Sequence, residues 1–218
     1  MIEKSALAPP PPQTRERLLA AAAQVFGERG YRAATVRDIV ARAGANIAAV
    51  NYHFRDKTGL YQAVLEEGAR AAFKKHPPYG GLGPDAPPEE QLRAFIHSFL
   101  MRLFDADVVY GKLMAREMIE PTAALDRIVE DVIRPLYRRL CACVRAVAGL
   151  QCPLEQVEPA AKSVVGQILF YKHCSPVLEK LGSPAPDARE LTRIAEHITD
   201  FSLSALRGGK GAGRRSRR

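Results

Sequence analysis

Long apolar runs are missing from this 218-residue chain. In its first amphipathic segment the longest fully apolar stretch is residues 18–23, far short of the roughly 18 residues that cross a bilayer. A membrane-spanning protein is therefore not expected. The amino end, Met1 to Lys4 followed by Pro9 to Pro12, has neither the apolar core nor the small-residue cleavage site of a secretory signal. A cytoplasmic location follows as an expectation.

Cysteine is scarce, with four residues at positions 141, 143, 152 and 174. Cys141 and Cys143 would point to opposite sides of a helix, which is no zinc pattern. Without a secretory signal a disulfide framework is not expected either, and the four read as buried reduced thiols. His76, His97, His173 and His197 lack metal-binding or nucleophile-activating spacing. Gly80-Gly-Leu-Gly83 runs into prolines instead of opening a helix after a strand, and Gly208-Gly-Lys-Gly-Ala-Gly213 lacks the spacing of a phosphate loop. No catalytic residue, metal or cofactor is expected, and an enzyme is the weakest reading.

Basic charge is unevenly spread. The formal net charge is +8, yet residues 61–206 carry 17 Lys/Arg against 19 Asp/Glu. The excess sits in residues 1–60, with nine basic against five acidic, and in residues 207–218, with six basic and no acidic. An anionic partner is expected at the ends of the chain.

Period-2 alternation is also scarce, whereas apolar residues three and four apart recur throughout, so the chain reads as all-α. About nine helices are expected. Four form an N-terminal head: residues 14–29 ending at Gly30, 35–43, 46–54 and 56–75. Residues 76–88 hold five prolines and three glycines, which predicts a linker or exposed loop. The body follows with residues 89–104, a short helix ending near 120, and a long amphipathic helix to about 148 that Pro135 must kink. The last two helices, 154–174 and 187–206, carry broad apolar faces including Val164, Ile168, Ile198 and Phe201. Such a pair suits a four-helix contact with a second copy. Residues 1–13 read as a disordered Pro-rich arm and 208–218 as a disordered basic tail. The resulting division is a head at 14–75, a Pro/Gly-rich loop at 76–88 and a body at 89–207.

Within the head, Thr35-Val-Arg-Asp38 has the pattern of a capping box, Gly44 suits a turn, and Asn46 is a strong N-cap. Helix, glycine turn and helix within twenty residues is helix-turn-helix spacing. On a helical wheel with Val50 inward, Phe54 and Ile47 fall near it, Ala48 and Tyr52 project outward, and Ala49 and Asn51 lie at the flanks. That outward face is small and uncharged, which suits close approach to base edges in a major groove. Arg37 is the long donor placed to reach a guanine. Lys57, in the first turn of the fourth helix, and Thr35, at the start of the second, are placed for phosphate.

Phe26-Gly-Glu-Arg-Gly-Tyr31, Thr35-Val-Arg-Asp-Ile39, Ala43-Gly44 and Asn51-Tyr-His-Phe54 resemble the DNA-binding head of TetR-family regulators over about residues 14–66. The resemblance implies a two-domain all-α homodimer, an N-terminal helix-turn-helix head on a C-terminal helical bundle. It also implies a double-stranded DNA operator and a small effector, bound by the body, that loosens the heads from DNA. Base contacts are implied for Arg37, Ile47, Ala48, Ala49, Asn51 and Tyr52, and phosphate contacts for Thr35, His53 and Lys57. Asn46, the cap of the recognition helix, belongs to the same DNA-binding set. Asn51 stands where the family commonly has Tyr, and Gly59 where a helix-forming acid is frequent. Arg116-Glu-Met-Ile-Glu-Pro-Thr122 and Gly166-Gln-Ile-Leu-Phe-Tyr171 are similar to the CecR-like C-terminal subgroup.

Several residues have two readings. His53 either meets phosphate or packs beside Phe54, and Ile47 sits between core and DNA. Arg116 and Glu117 line an effector pocket or form a salt bridge. Phe99, Met114, Met118, Tyr137 and Tyr171 are pocket walls or plain core. For the whole protein, the alternative to an operator-specific repressor is a sequence-indifferent architectural DNA binder working through its basic tail.

Overall fold

A computed structural model describes residues 12–105, 109–149 and 152–212. No strand occurs among the described residues, which confirms the all-α expectation, and eleven α-helices do. These are α1 (Pro12–Ala33), α2 (Val36–Ala43), α3 (Ile47–Phe54), α4 (Lys57–Lys75), α5 (Pro88–Phe104), α6 (Val109–Ile119), α7 (Ala123–Ile128), α8 (Arg134–Ala148), α9 (Leu154–His173), α10 (Ser175–Lys180) and α11 (Ala188–Ala212). Of the expected arm at 1–13, residues 1–11 lie outside the described residues and 12–13 open α1; of the expected tail at 208–218, residues 208–212 continue α11 and those from 213 lie outside the described residues. None of these helices is long and apolar enough to cross a membrane.

Two compact units emerge. Among the described residues, one holds 12–70 with 109–128, and the other holds 71–105 with everything from 129 onward. α6 and α7, read from the sequence as part of the body, thus cluster with the head. The reason is a pair of polar contacts: Glu117 on α6 accepts from the buried Tyr61 hydroxyl on α4 at 2.9 Å, and the exposed Arg116 donates to the Phe26 carbonyl on α1 at 2.9 Å. Apolar packing supports them through Leu18, Phe26, Leu60, Leu65 and Leu113, all buried, each worth about 1.5–3 kcal/mol of transfer free energy. The Phe26 and Tyr61 rings meet edge to face at 4.8 Å.

In the first helix Gly30, with φ 77 and ψ 169, breaks the helical path. This backbone lies in a region that a Cβ disfavours, so α1 kinks at the glycine expected to end it, and a further helical turn runs on to Ala33.

The core of the second unit is built from α5, α8, α9 and α11, with Leu92, Ile96, Leu100, Leu140, Val144, Val164, Ile168 and Ile198 among its buried residues. Two sequence expectations change here. The long helix after Pro121 is not continuous: α7 passes through a π-helical turn at Val129–Ile133 before α8. Pro135 has no N–H to return to the preceding turn, and the wider turn just ahead of it absorbs that loss.

The Pro/Gly segment 76–88 is not merely an exposed loop. Pro78–Gly81 forms a 3₁₀ turn that buries Tyr79 in the core. Its hydroxyl donates to the Leu136 carbonyl at 3.0 Å, and the Arg139 guanidinium lies 3.9 Å from its ring centroid. Arg139 also donates to the carbonyls of Leu82 and Gly83 at 2.7 and 2.9 Å. The four thiols are free, but only Cys143 is fully buried, so the expectation of four buried thiols holds for one.

Candidate nucleic-acid interface

Three local devices set α2 and α3. Thr35, in extended backbone, accepts the Asp38 amide on Oγ1 at 3.1 Å, and Asp38 Oδ2 accepts the Thr35 amide at 3.3 Å. Both halves of the capping box are formed. The Thr35 hydroxyl donates to Asp38 at 2.7 Å and Arg29 pairs with it at 2.9 Å, and these contacts hold the carboxyl below its ordinary range. Gly44 takes the left-handed conformation, φ 59 and ψ 40, that closes α2. Asn46 Oδ1 then accepts the Ala49 amide at 2.9 Å and opens α3.

Side chains from α1 brace this turn. Arg17 donates to the Gly44 carbonyl at 3.0 Å, and Glu28 takes the Arg42 guanidinium in a two-pronged pair at 2.8 and 3.0 Å. Sequence reasoning missed both, because pairs 27 and 14 residues apart leave no periodic signal.

The outward face of α3 consists of Ile47, Ala48, Asn51 and Tyr52, with Tyr52 65% and Ile47 46% exposed. None is charged. Ile47, ambiguous in the sequence, is thus on the surface. Ala49 corrects the resemblance: it is 5% exposed, so its methyl faces the core and not a base. The inward direction runs between Val50 and His53, a small rotation from the wheel centred on Val50 alone, and it carries Ala49 in and Ile47 out. Arg37 on α2 is exposed as well.

The three residues matched to phosphate contacts differ in availability. Thr35 is exposed but engaged with Asp38. Lys57 reaches the Arg32 carbonyl at 3.3 Å, sits 4.6 Å over the Tyr31 ring, and has its pKa lowered by partial burial. His53 is half-buried with its ring 5.0 Å from Tyr52 and 6.0 Å from Phe54, and its buried Nε2 has no hydrogen-bond partner. That placement favours the packing reading. Gly59 also acquires a reason: a Cβ there would stand 2.0 Å from the Phe54 carbonyl oxygen, so any side chain would collide with the end of α3.

The residues read as an effector pocket do not form one set. Phe99, Tyr137 and Tyr171 pack against the core of the second unit. Met114, Arg116 and Met118 belong to the first. Met118 is exposed, and Arg116 is held by the Phe26 and Glu28 carbonyls. Glu117 is a buried acceptor for Tyr61 and Thr122 and forms no salt bridge with Arg116. Among the described residues, no group of three His, Cys, Asp or Glu side chains is placed to hold a metal ion.

Geometry of this kind, an exposed uncharged helix face fixed by two caps and a glycine turn, can enter a major groove and meet base edges. Comparison with known proteins agrees. The family model for bacterial regulatory proteins of the tetR family matches residues 18–64, and that for the C-terminal domain of the HTH-type transcriptional dual regulator CecR matches residues 88–206. The chain is similar to the dual regulator CecR of Shigella flexneri, with 31% identity over 208 residues, covering 89% of this chain and 93% of that protein. The HTH-type transcriptional repressor BepR of Brucella suis is 42% identical over 61 residues, 28% of each chain. Among solved structures, a tetR-family regulatory protein from Rhodococcus matches with a TM-score of 0.64 at 20% identity, covering 90% of this chain and 98% of that one. A putative fatty acid metabolism regulator from Clostridium perfringens gives 0.63 at 18% identity, covering 86% and 97%. These two show the shared fold. The protein is a DNA-binding transcriptional regulator, as its relatives are. The chain belongs to the tetR family of bacterial regulators, and its second half is a CecR-type C-terminal domain.

Proposed function

We propose that the protein is a homodimeric repressor that binds a palindromic operator and is released from it by a small molecule held in its C-terminal domain. The observation that carries the reading is the outward face of α3, exposed and without charge. Two copies would place their α3 helices in successive major grooves, roughly 34–36 Å apart. Asn51 and Tyr52 would supply hydrogen bonds to base edges, Ala48 and Ile47 apolar contact with thymine methyls, and Arg37 a guanine contact. Thr35 and Lys57 would meet phosphates, with Asn46 positioning the helix.

Dimerisation is assigned to α9 and α11. Phe170 on α9 and Phe201 on α11 are 50% and 59% exposed, apolar surface that a second copy would cover. On this reading residues 14–75 bind DNA, and 89–207 bind the effector and dimerise, apart from α6 and α7, which pack into the first unit. An effector acts only through a difference in affinity between the DNA-compatible and DNA-incompatible forms.

The test is to sequence fragments that the purified protein selects from its own genomic DNA. Palindromic sites with half-sites about one helical turn apart support the reading; binding that depends steeply on salt and not on sequence contradicts it.

A further inference from the structure

Two arginines of α1 stand at the two ends of α3. Thr14 and Leu18, one helical turn apart, are buried and mark the edge of α1 that faces the core, so Arg15 and Arg17 fall on the flanks of that edge and Glu16 on the far side. The contacts agree. Arg17 donates to the Gly44 carbonyl at 3.0 Å, in the turn that leads into α3, and the Arg15 guanidinium lies 5.6 Å from the ring centroid of Phe54, the last residue of α3. Both side chains are exposed.

Neither arginine is spent within the protein. A guanidinium carries five N–H donors; Arg17 gives one to Gly44, Arg15 makes a ring contact alone, and neither meets a carboxylate among the described residues. By contrast Arg29, Arg32, Arg42 and Arg70 of the same unit face Asp38, Glu120, Glu28 and Glu67. The result is a helix with no charge on its outward face and an unneutralised guanidinium at each end.

We propose that Arg15 and Arg17 form a phosphate clamp, binding the DNA backbone at the two ends of α3 and fixing the register of that helix without reading sequence. The inference rests on the reading that α3 enters the major groove. With its side chains an α-helix is about 10–12 Å across, and the major groove is about 12 Å wide. A helix seated there fills the groove, and long basic side chains held beside it meet the phosphates of the rims. The guanidinium fork suits phosphate oxygens. Arg17 acts twice, since one N–H group holds the Gly44 carbonyl of the turn while the others face outward to the backbone.

Fluorescence anisotropy of the full chain on selected operator DNA and on a scrambled duplex, over a series of salt concentrations, tests this. Arg15→Gln combined with Arg17→Gln should weaken both duplexes by the same factor, about tenfold, and should flatten the plot of log affinity against log salt by about 1.8 for each copy bound. Arg15→Gln alone removes no hydrogen bond within the protein; it should flatten the plot by about 0.9 for each copy at an unchanged melting temperature, so the test survives if the double variant melts early. Arg70→Gln is the control for net charge, because Arg70 lies about 20 Å along α4 from Lys57 at 1.5 Å per residue, beyond the reach of screened charge. An unchanged salt slope in the arginine variants, an equal change in Arg70→Gln, or a loss confined to the operator would overturn the clamp. Parallel titration of Arg37→Ala combined with Tyr52→Ala separates this inference from the reading beneath it. A flattened slope in the arginine variants beside undiminished operator affinity in the Arg37 and Tyr52 variant supports the phosphate contacts and removes α3 as the reading element. Lost operator affinity in that variant beside an unchanged slope in the arginine variants keeps α3 and overturns the clamp.

Discussion

The Tyr61 hydroxyl on α4 donates to Oε1 of Glu117 on α6 at 2.9 Å, joining two buried residues 56 positions apart. Glu117 also accepts the Thr122 amide at 3.0 Å and the Thr122 hydroxyl at 3.1 Å. The carboxylate therefore serves several donors, and each donor has little else. Tyr61→Phe should cost about 1–2 kcal/mol, since Glu117 keeps its Thr122 contacts. Glu117→Ala should cost about 3 kcal/mol or more, because it strands buried donors and opens a cavity. Urea unfolding of the two variants reads the difference, and equal losses would contradict the network.

Stability should fall at alkaline pH for an identifiable reason. Burial pushes the Cys143 thiol from an ordinary value near 9.0 up to about 11. The unfolded thiol ionises first as pH rises, so the contribution is complete below about pH 9 and is lost between there and about pH 11, at roughly 1.4 kcal/mol per pH unit. Tyr61 and Tyr79, whose hydroxyls burial also raises, extend the loss above pH 10. In Cys143→Ala the gap to wild type should narrow from pH 8 to pH 11. Parallel curves would refute the assignment.

Two glycines in the head should respond differently to alanine. At Gly44 a Cβ meets nothing within 4 Å and only the left-handed backbone is strained, a cost of about 1–2 kcal/mol. At Gly59 the Cβ would stand 2.0 Å from the Phe54 carbonyl oxygen, and α3 or α4 must shift. Thermal unfolding should rank Gly59→Ala well below Gly44→Ala, and the reverse order would show the approach to be looser than described.

The contrast between these residues shows how much the sequence carried. The limits of α2 and α3 were legible because Thr35, Asp38, Gly44 and Asn46 act within a few residues of themselves. The rotation of α3 was not, because it is set by what the helix packs against, and a small turn moved Ala49 inward and Ile47 outward. Composition identified the segment around Tyr79 as a loop but could not show that one aromatic ring anchors it. Glu117 looked like a surface or pocket charge because its partner, Tyr61, lies on another helix. Pro135 announced a disturbance, and only packing decided that it would take the form of a π turn ahead of α8.

If α9 and α11 form the dimer, charge placed on their exposed apolar face should separate the copies. Phe170→Glu combined with Phe201→Glu should shift the mass in sedimentation from dimer to monomer while leaving the helical content unchanged, since both side chains are exposed. A dimer that persists in this variant would move the interface elsewhere.

The most direct test of the central claim compares Arg37→Ala combined with Tyr52→Ala against wild type, on selected operator DNA and on a scrambled duplex at one salt concentration. Both side chains are exposed, so the melting temperature should not change. Operator affinity should fall about a hundredfold, at about 1–3 kcal/mol per lost base contact, with little change on scrambled DNA. An unchanged operator affinity would contradict the assignment of α2 and α3 as the surface that reads DNA sequence.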